Sequence, residues 1–231
     1  RAIIDPSAKL ADDVEVGTWS IIGPDVEIGA GTVIKSHVVL KGPTVIGRNN
    51  TIYQFATVGD DTPDLKYKDG TVQDRAETTI GNDNLIMAYV HIGHDSVVGN
   101  HCILVNNAAL AGHVHIGDWA IVSGYTLIHQ FCRIGEHSFS GMGSAIGKDV
   151  PAYVTVVGSP AAAKGINTEG LKRRGFSSEA IATIRKAYKV IYRRGLTTEE
   201  ALQELQTMQA DCAELGPLIQ SIRASQRGIV R

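Results

Sequence analysis

The sequence predicts a parallel β-helix closed at one end by α-helices, and three observations carry that prediction. Aliphatic residues return at every sixth position for most of the chain. One segment interrupts the beat without destroying it, and beyond Pro151 the beat gives way to apolar spacings of three and four. A period of six fits neither the helical 3.6 nor the alternation of an isolated strand, and hexapeptide repeats belong to the parallel β-helix.

The first run is Ile4, Leu10, Val16, Ile22, Ile28, Ile34, Leu40, Ile46, Ile52 and Val58, without an exception. Four residues after each aliphatic stands a small or β-branched residue, as at Ala8, Val14, Ser20 and Val26, with Asn50 the polar departure. Each hexad therefore reads as one short strand and a corner, with two side chains pointing inward to stack on their copies in adjacent coils. Glycine often follows the aliphatic, at Gly17, Gly23, Gly29 and Gly47, where it is expected to relieve corner backbone that needs a positive φ.

After Val58 the beat stops and resumes at Ile80, an interval of 22 that is not a multiple of six. Pro63, Asp60, Asp61, Asp64 and Gly70 mark the stretch as an external loop near 59–79. A long loop breaking a regular solenoid is more often functional than decorative. The second run is Ile80, Ile86, Ile92, Val98, Leu104, Leu110, Ile116, Val122, Ile128 and Ile134, then Ser140 out of pattern, then Ile146. Cys102 and Cys132 fall at the small inward position and read as compact core residues. With Cys212 they make an odd number at wide spacing, which predicts reduced thiols rather than a disulfide framework or a zinc knuckle.

Residues 1–157 are thus assigned to the β-helix and 158–231 to a helical domain. GSPAAAKGIN reads as the crossover between them. Ser177 or Ser178 caps a helix whose apolar face is Ile181, Ile184, Tyr188 and Ile191, and Gly195 ends it. Thr197 or Thr198, followed by Glu199 and Glu200, starts a second helix with Leu202, Leu205 and Met208. Pro217 opens a third containing Leu218 and Ile222. A β-helix needs its open end covered, and terminal helices supply the cover.

At 231 residues and 43% hydrophobic, the chain has enough apolar material to bury a core, which excludes a disordered monomer. It contains no apolar run of about eighteen residues and no charged-then-apolar leader, so the expectation is a cytoplasmic protein without integral membrane association. The chain opens on Arg1, and a few residues are expected ahead of it. The formal net charge is −2, yet residues 164–194 hold nine Lys/Arg against Glu169 and Glu179, 9 − 2 = +7. A basic segment on a mildly acidic body points to an acidic partner or a phosphate-bearing ligand, or else to a solvated helix face; no nucleic-acid partner is predicted.

If three hexads make one coil, residues eighteen apart lie above one another at about 4.8 Å. His94, Gly112 and Gln130 then form one column, and Asp95, His113 and Phe131 its neighbour, all at corners expected to face outward. A base, a glycine N–H open to close approach and a carboxylate–histidine level thus share one edge. That set suits acyl transfer: histidine takes a proton from an alcohol and the Gly112 N–H meets the developing oxyanion. The same fold also houses carbonic anhydrases with three zinc-binding histidines. His91, His94 and His113 are numerous enough for that, but His91 sits at a different corner phase and nothing in the spacing makes three imidazoles converge.

DLKY at 64–67, HIGHDSVVGNHCILVNNAALAGHV at 91–114, HQF at 129–131, GIN at 165–167, EGLKRRGFS at 169–177 and the closing RGIVR span nearly the whole chain. Together these stretches resemble the hexapeptide-repeat O-acyltransferases that open lipid A synthesis in Gram-negative bacteria. The resemblance implies a left-handed β-helix, an exception to the right-handed crossover tendency, assembled as a homotrimer with active sites between subunits. It implies an acyl chain passed from acyl carrier protein to the glucosamine 3-hydroxyl of UDP-N-acetylglucosamine, with no metal and no cofactor. His94 becomes the general base, Asp95 its orienting partner and Gly112 the oxyanion donor. Asp64, Lys66, His91, His113 and Gln130 are implied to hold the sugar, diphosphate and acyl groups. Asn167, Glu169 and Arg173 are implied to contact the nucleotide from the neighbouring subunit, with the basic helices as the docking surface for acyl carrier protein.

Two departures accompany the resemblance. Between Lys68 and Thr71 the chain is shorter than the family pattern by roughly twenty residues, about one coil, and in the family that stretch holds a further active-site histidine. A true deletion would remove a rung beside the level of His94, so the preferred reading is a stretch left out of the numbering. The second is Met142, where the family limits acyl length. Counted as two coils beyond His94, about 10 Å along the axis, it leaves room for a 3-hydroxydecanoyl rather than a 3-hydroxytetradecanoyl donor; the plain alternative is a core-filling methionine. The rival readings are the N-acyltransferase of the same pathway, which carries an extra N-terminal domain, and a structural or ice-binding solenoid, which predicts flat rows of threonine that the varied outward positions lack.

Overall fold

A computed structural model describes residues 1–60 and 77–231. Short strands, mostly of two or three residues, stack into three sheets of eight, seven and nine strands, parallel except for the last strand of the third, that form the faces of a left-handed prism. The register is the one the hexads dictate: Ile3 pairs with Ile21, Ile21 with Val39, and Ile22 with Leu40, one coil being eighteen residues. Inside, Ile22, Leu40, Val58, Ile92, Leu110, Ile128 and Ile146 stack along one face with almost no exposure. Each such side chain contributes about 1.5–3 kcal/mol by leaving water. Cys102 and Cys132 lie in this core, where burial pushes their thiols up to about 12 and about 11. All three cysteines are free.

Several polar residues in the core are satisfied by ladders between coils. Asn50 Oδ1 accepts from Asn84 N at 2.9 Å, and Asn84 Oδ1 accepts from Cys102 N at 2.7 Å. Ser140, out of pattern in the sequence, fills an aliphatic slot by accepting from Ser123 N and bonding Thr126 Oγ1, both at 2.9 Å. Two buried hydroxyl bonds replace the missing contact area.

The corners overturn one expectation. Gly17, Gly23, Gly29 and Gly47 do not adopt positive φ; a Cβ on Gly17 would stand 2.5 Å from Ser36 N of the next coil, so these glycines permit close stacking of backbone. The left-handed conformation falls two residues later and is borne mostly by side-chain residues, among them Trp19, His37, Phe55, Asp95, His113, Trp119 and Phe131. Three corner columns result: Trp19, His37, Phe55, Tyr89, Asn107, Tyr125 and Gly143; Asp25 to Asp95, His113 and Phe131; and Asn49, Asp83, His101, Trp119, His137 and Tyr153.

Across the interruption the ladder continues without a gap. Thr44 pairs with Thr78 and Thr57 with His91, an offset of 34 instead of eighteen. The coil of Thr57 lies directly against that of His91, and the positions from Lys68 to Thr71, where the shortening is read, lie outside the described residues. The loop read near 59–79 lies mainly outside the described residues, as do Asp64 and Lys66; the flanking strands are Thr57–Asp60 and Thr78–Ile80.

At the far end Val154–Val157 and Ala162–Ile166 form an antiparallel hairpin on the nine-stranded sheet, a strand where the sequence suggested only a crossover. Helix α1 spans Thr168–Arg173, α2 Ser178–Arg193, α3 Thr198–Gln209 and α4 Gly216–Arg223. Ser177 caps α2, Thr197 and Glu200 form a capping box on α3, and Pro217 lies in the first turn of α4. The short α1 leaves no apolar period in the sequence because its only buried side chain is Leu171. Helical residues Ile181, Ile184, Ile191, Leu205 and Leu218 pack with Ala152 and Tyr153 into a second core.

Candidate active site

Strand His91–Gly93 delivers His94 and Asp95 to a corner, and the coil above delivers Gly112 and His113. The column arithmetic holds here: His113 N donates to His94 O at 3.0 Å and Phe131 N to Gly112 O at 3.2 Å. His94 Nδ1 is held in a very short contact by Asp95 Oδ2. With Nδ1–H donating to a carboxylate, the imidazole presents Nε2 as its basic nitrogen. A Cβ on residue 112 would stand 2.5 Å from His94 Nε2, so glycine is what lets this ring lie over the neighbouring coil. The Gly112 N–H donates to no acceptor among the described residues.

Asp95 corrects a second expectation. Read as an outward corner residue, it is buried, only 7% exposed, beneath the rings of His94 and His113. His113 Nε2 lies 3.5 Å from Asp95 Oδ2, and the two imidazoles meet edge to face at 5.1 Å. Phe131 stacks flat on His113 at 4.6 Å. Gln130 continues the His94 and Gly112 column and is exposed. His94, Asp95 and His113 place ligand-type atoms within 4.8 Å of one another, the grouping among the described residues that has metal-ligand character. The three imidazoles of the zinc reading are not what converges: His91 stands on the strand before the corner, with Nδ1 at 2.8 Å from Thr57 Oγ1. Burial lowers the pKa of His91, Asp60 opposes and His94 adds to the lowering, so the ring is neutral near pH 7.

The remaining predicted residues lie on other edges. Asn167, Glu169 and Arg173 border a groove of about 600 Å³ with Trp119 and Arg174, against the third corner column. Asn167 caps α1 through Oδ1 and reaches His137 O with Nδ2 at 2.9 Å. Glu169 is paired with Lys172 at 3.1 Å, and Arg173 is exposed. Sequence reading passed over Arg174, whose guanidinium lies 5.2 Å over the Trp119 ring and whose Nη1 donates to His137 Nδ1 at 3.3 Å. The eighteen-residue count from Trp119 to His137 was the available signal. Met142 is 78% exposed, which removes the core-filling alternative. Its corner stacks on Gly124 rather than on Gln130, since 142 − 94 = 48 is not a multiple of eighteen. A single chain therefore brings together His91, His94, Asp95, Gly112, His113 and Gln130, but places Met142, Asn167, Glu169 and Arg173 elsewhere.

Among the described residues no helix is long and apolar enough to cross a membrane. Residues 149–230 match the family described as UDP N-acetylglucosamine O-acyltransferase, domain 2, and residues 77–112 match the bacterial transferase hexapeptide. The chain is 66% identical to the acyl-[acyl-carrier-protein]–UDP-N-acetylglucosamine O-acyltransferase of Stutzerimonas stutzeri and 68% identical to that of Ectopseudomonas mendocina, covering all of this chain and 98% of each relative. Both alignments run over 252 positions, so at least 252 − 231 = 21 have no counterpart in this chain. Its fold is similar to the UDP-N-acetylglucosamine O-acyltransferase of Moraxella catarrhalis (TM-score 0.88, 45% identity, 100% and 98% of the two chains). The UDP-N-acetylglucosamine acyltransferase of Francisella novicida is also similar (TM-score 0.85, 42%, 100% and 92%).

Proposed function

The chain belongs to the UDP-N-acetylglucosamine O-acyltransferase family, and from that premise we propose that it transfers a 3-hydroxyacyl chain from acyl carrier protein to the glucosamine 3-hydroxyl of UDP-N-acetylglucosamine, the first step of lipid A synthesis. The observation that carries the chemistry is the His94–Asp95 pair beside the Gly112 N–H. His94 Nε2 takes the proton of the 3-hydroxyl as its oxygen attacks the thioester carbonyl. Asp95 holds Nδ1–H and stabilises the imidazolium that forms. The tetrahedral oxyanion meets the Gly112 N–H, the C–S bond breaks, and the proton on His94 passes to the departing carrier sulfur. Electrons and protons balance without a cofactor or a metal.

The reading has 1–157 as scaffold, with its external loop, and 158–231 as cap and docking unit. It takes a cytoplasmic homotrimer as the working form. Residues on separate edges of one chain meet only across subunits, which supports giving Asn167, Glu169, Arg173 and Met142 of one subunit to the site of the next. His91, His113 and Gln130 hold the substrate, together with Asp64 and Lys66, which lie outside the described residues. Met142 limits the chain to 3-hydroxydecanoyl, and the basic face of α2, with Arg185, Lys189 and Arg193, receives the acidic carrier.

The decisive experiment presents purified protein with UDP-N-acetylglucosamine and carrier thioesters of graded length. Transfer favouring the ten-carbon 3-hydroxyacyl donor is expected; no transfer from any donor would sink the proposal. His94→Ala should lower kcat by about 10²–10⁴ at unchanged oligomer size. Zinc bound near one per site, with carbon dioxide hydration and no acyl transfer, would point to the anhydrase reading instead.

A further inference from the structure

Across the interruption the pairing offset is 34 instead of eighteen, and two particular rungs stand face to face. Thr57 pairs with His91, Val58 with Ile92 and, after a register shift at Gly59, Asp60 with Gly93. Gly59 takes φ +69 and a Cβ there would stand 2.5 Å from Thr44 Oγ1. The bulge is thus fixed by backbone that only glycine fits, and it anchors the strand end just before the His94 corner. On that strand Thr57 directs its hydroxyl to His91 Nδ1 at 2.8 Å, the one hydrogen bond Thr57 Oγ1 makes among the described residues. His91 is half-buried and neutral, and among the described residues nothing takes its Nε2.

We propose that Thr57 is a positioning residue for the acyl acceptor site: its hydroxyl holds His91 Nδ1 and so fixes one ring orientation, which leaves Nε2 to meet the substrate. The proposal rests on the reading above in which His91 contacts the nucleotide sugar. A hydroxyl can donate to a bare Nδ1 or accept from Nδ1–H, so the bond is kept in either tautomer of the neutral ring, and what it fixes is which nitrogen faces Thr57 and which faces outward. Without the hydroxyl the residue keeps its place in the ladder but the ring flips, so that only part of the population presents the productive nitrogen. Threonine suits the task because its branched Cβ restricts χ1 on a strand, keeping the hydroxyl aimed at the rung above.

Thr57→Val removes the hydroxyl at nearly constant volume, and Thr57→Ser restores it. In steady-state assays of the full chain, Thr57→Val should raise KM for the nucleotide sugar by about 3- to 10-fold with kcat held to within about twofold. Thr57→Ser should return KM to the wild-type value, and neither change should alter KM for the carrier thioester. Nuclear Overhauser contacts of the His91 ring protons should show one ring orientation in the wild type and an exchanging pair in Thr57→Val. An unchanged KM, a loss that serine does not restore, or a single His91 ring orientation persisting in Thr57→Val overturns the proposal. A wild-type protein with no acyl transfer would sink the functional reading instead, and the NMR measurement would still decide the role of Thr57.

Discussion

The site hangs on one absent side chain. Gly112 tolerates no Cβ because the place a Cβ would occupy is 2.5 Å from His94 Nε2 and 2.6 Å from Cε1. Gly112→Ala must push the imidazole off the Asp95 pair or shift the corner, and a displacement of about 1 Å costs about 10²-fold in rate. We expect kcat to fall by that order with the oligomer and melting temperature little changed, measured by steady-state kinetics and thermal denaturation. A different histidine governs pH behaviour. His137, stacked between Trp119 and Tyr153, is held down to about 4 by burial first and by the Arg174 charge second, with Asp118 opposing. In the unfolded chain it titrates near 6.5, so between about 4 and 6.5 the unfolded state binds the extra proton. The stability it gives is complete above that window and is lost as pH falls through it. His137→Phe should flatten the fall in melting temperature from pH 6.5 to 4; a profile as steep as the wild type's would assign the acid sensitivity to other groups.

Among the elements, the strands are held by the ladder and the helices by their caps. Period six was legible because every coil repeats the same inward positions, so ten successive aliphatics in the first run could be counted without knowing the fold. The corner conformation was not legible: the eye goes to glycine, but the left-handed residue is two positions later and is usually Asp, His or an aromatic. These pay the local cost of positive φ because backbone hydrogen bonds between coils, such as His37 to Phe55 and His94 to His113, fix them on both sides. Helix α2 was readable through Ser177, whose Oγ accepts from Ala180 N at 3.0 Å. Ser177→Ala should destabilise the protein by about 1 kcal/mol, read from chemical denaturation, and Ser177→Asp should recover most of it.

At the scale of the molecule, the edges are what matter. His94 stands on one corner of the prism, Met142 on a second and the groove of Asn167, Trp119 and Arg174 on the third. Under the proposed trimer, the ruler and the base of one site come from different chains. Mixed trimers of His94→Ala chains and Met142→Gly chains therefore make a sharp test. Active sites in which a Met142→Gly chain supplies His94 and a His94→Ala chain supplies Met142 should keep the ten-carbon preference, whereas homotrimers of Met142→Gly should accept longer donors. If the mixed trimers show the donor profile of Met142→Gly alone, Met142 does not act across the subunit boundary.

The sequence by itself determined the coil, its inward and outward positions, the helical end and the column of His94, Gly112 and Gln130, because hydrogen-bonded rungs repeat at a fixed eighteen residues and the chain can be counted. Only the tertiary structure decided what lies across the interruption. A solenoid can extrude a loop of any length at a corner without disturbing its ladder, since closing a longer loop costs little. Counting therefore fails between Val58 and Ile80, and the contact of Thr57 with His91, 34 residues apart, could be read only from the stacked coils.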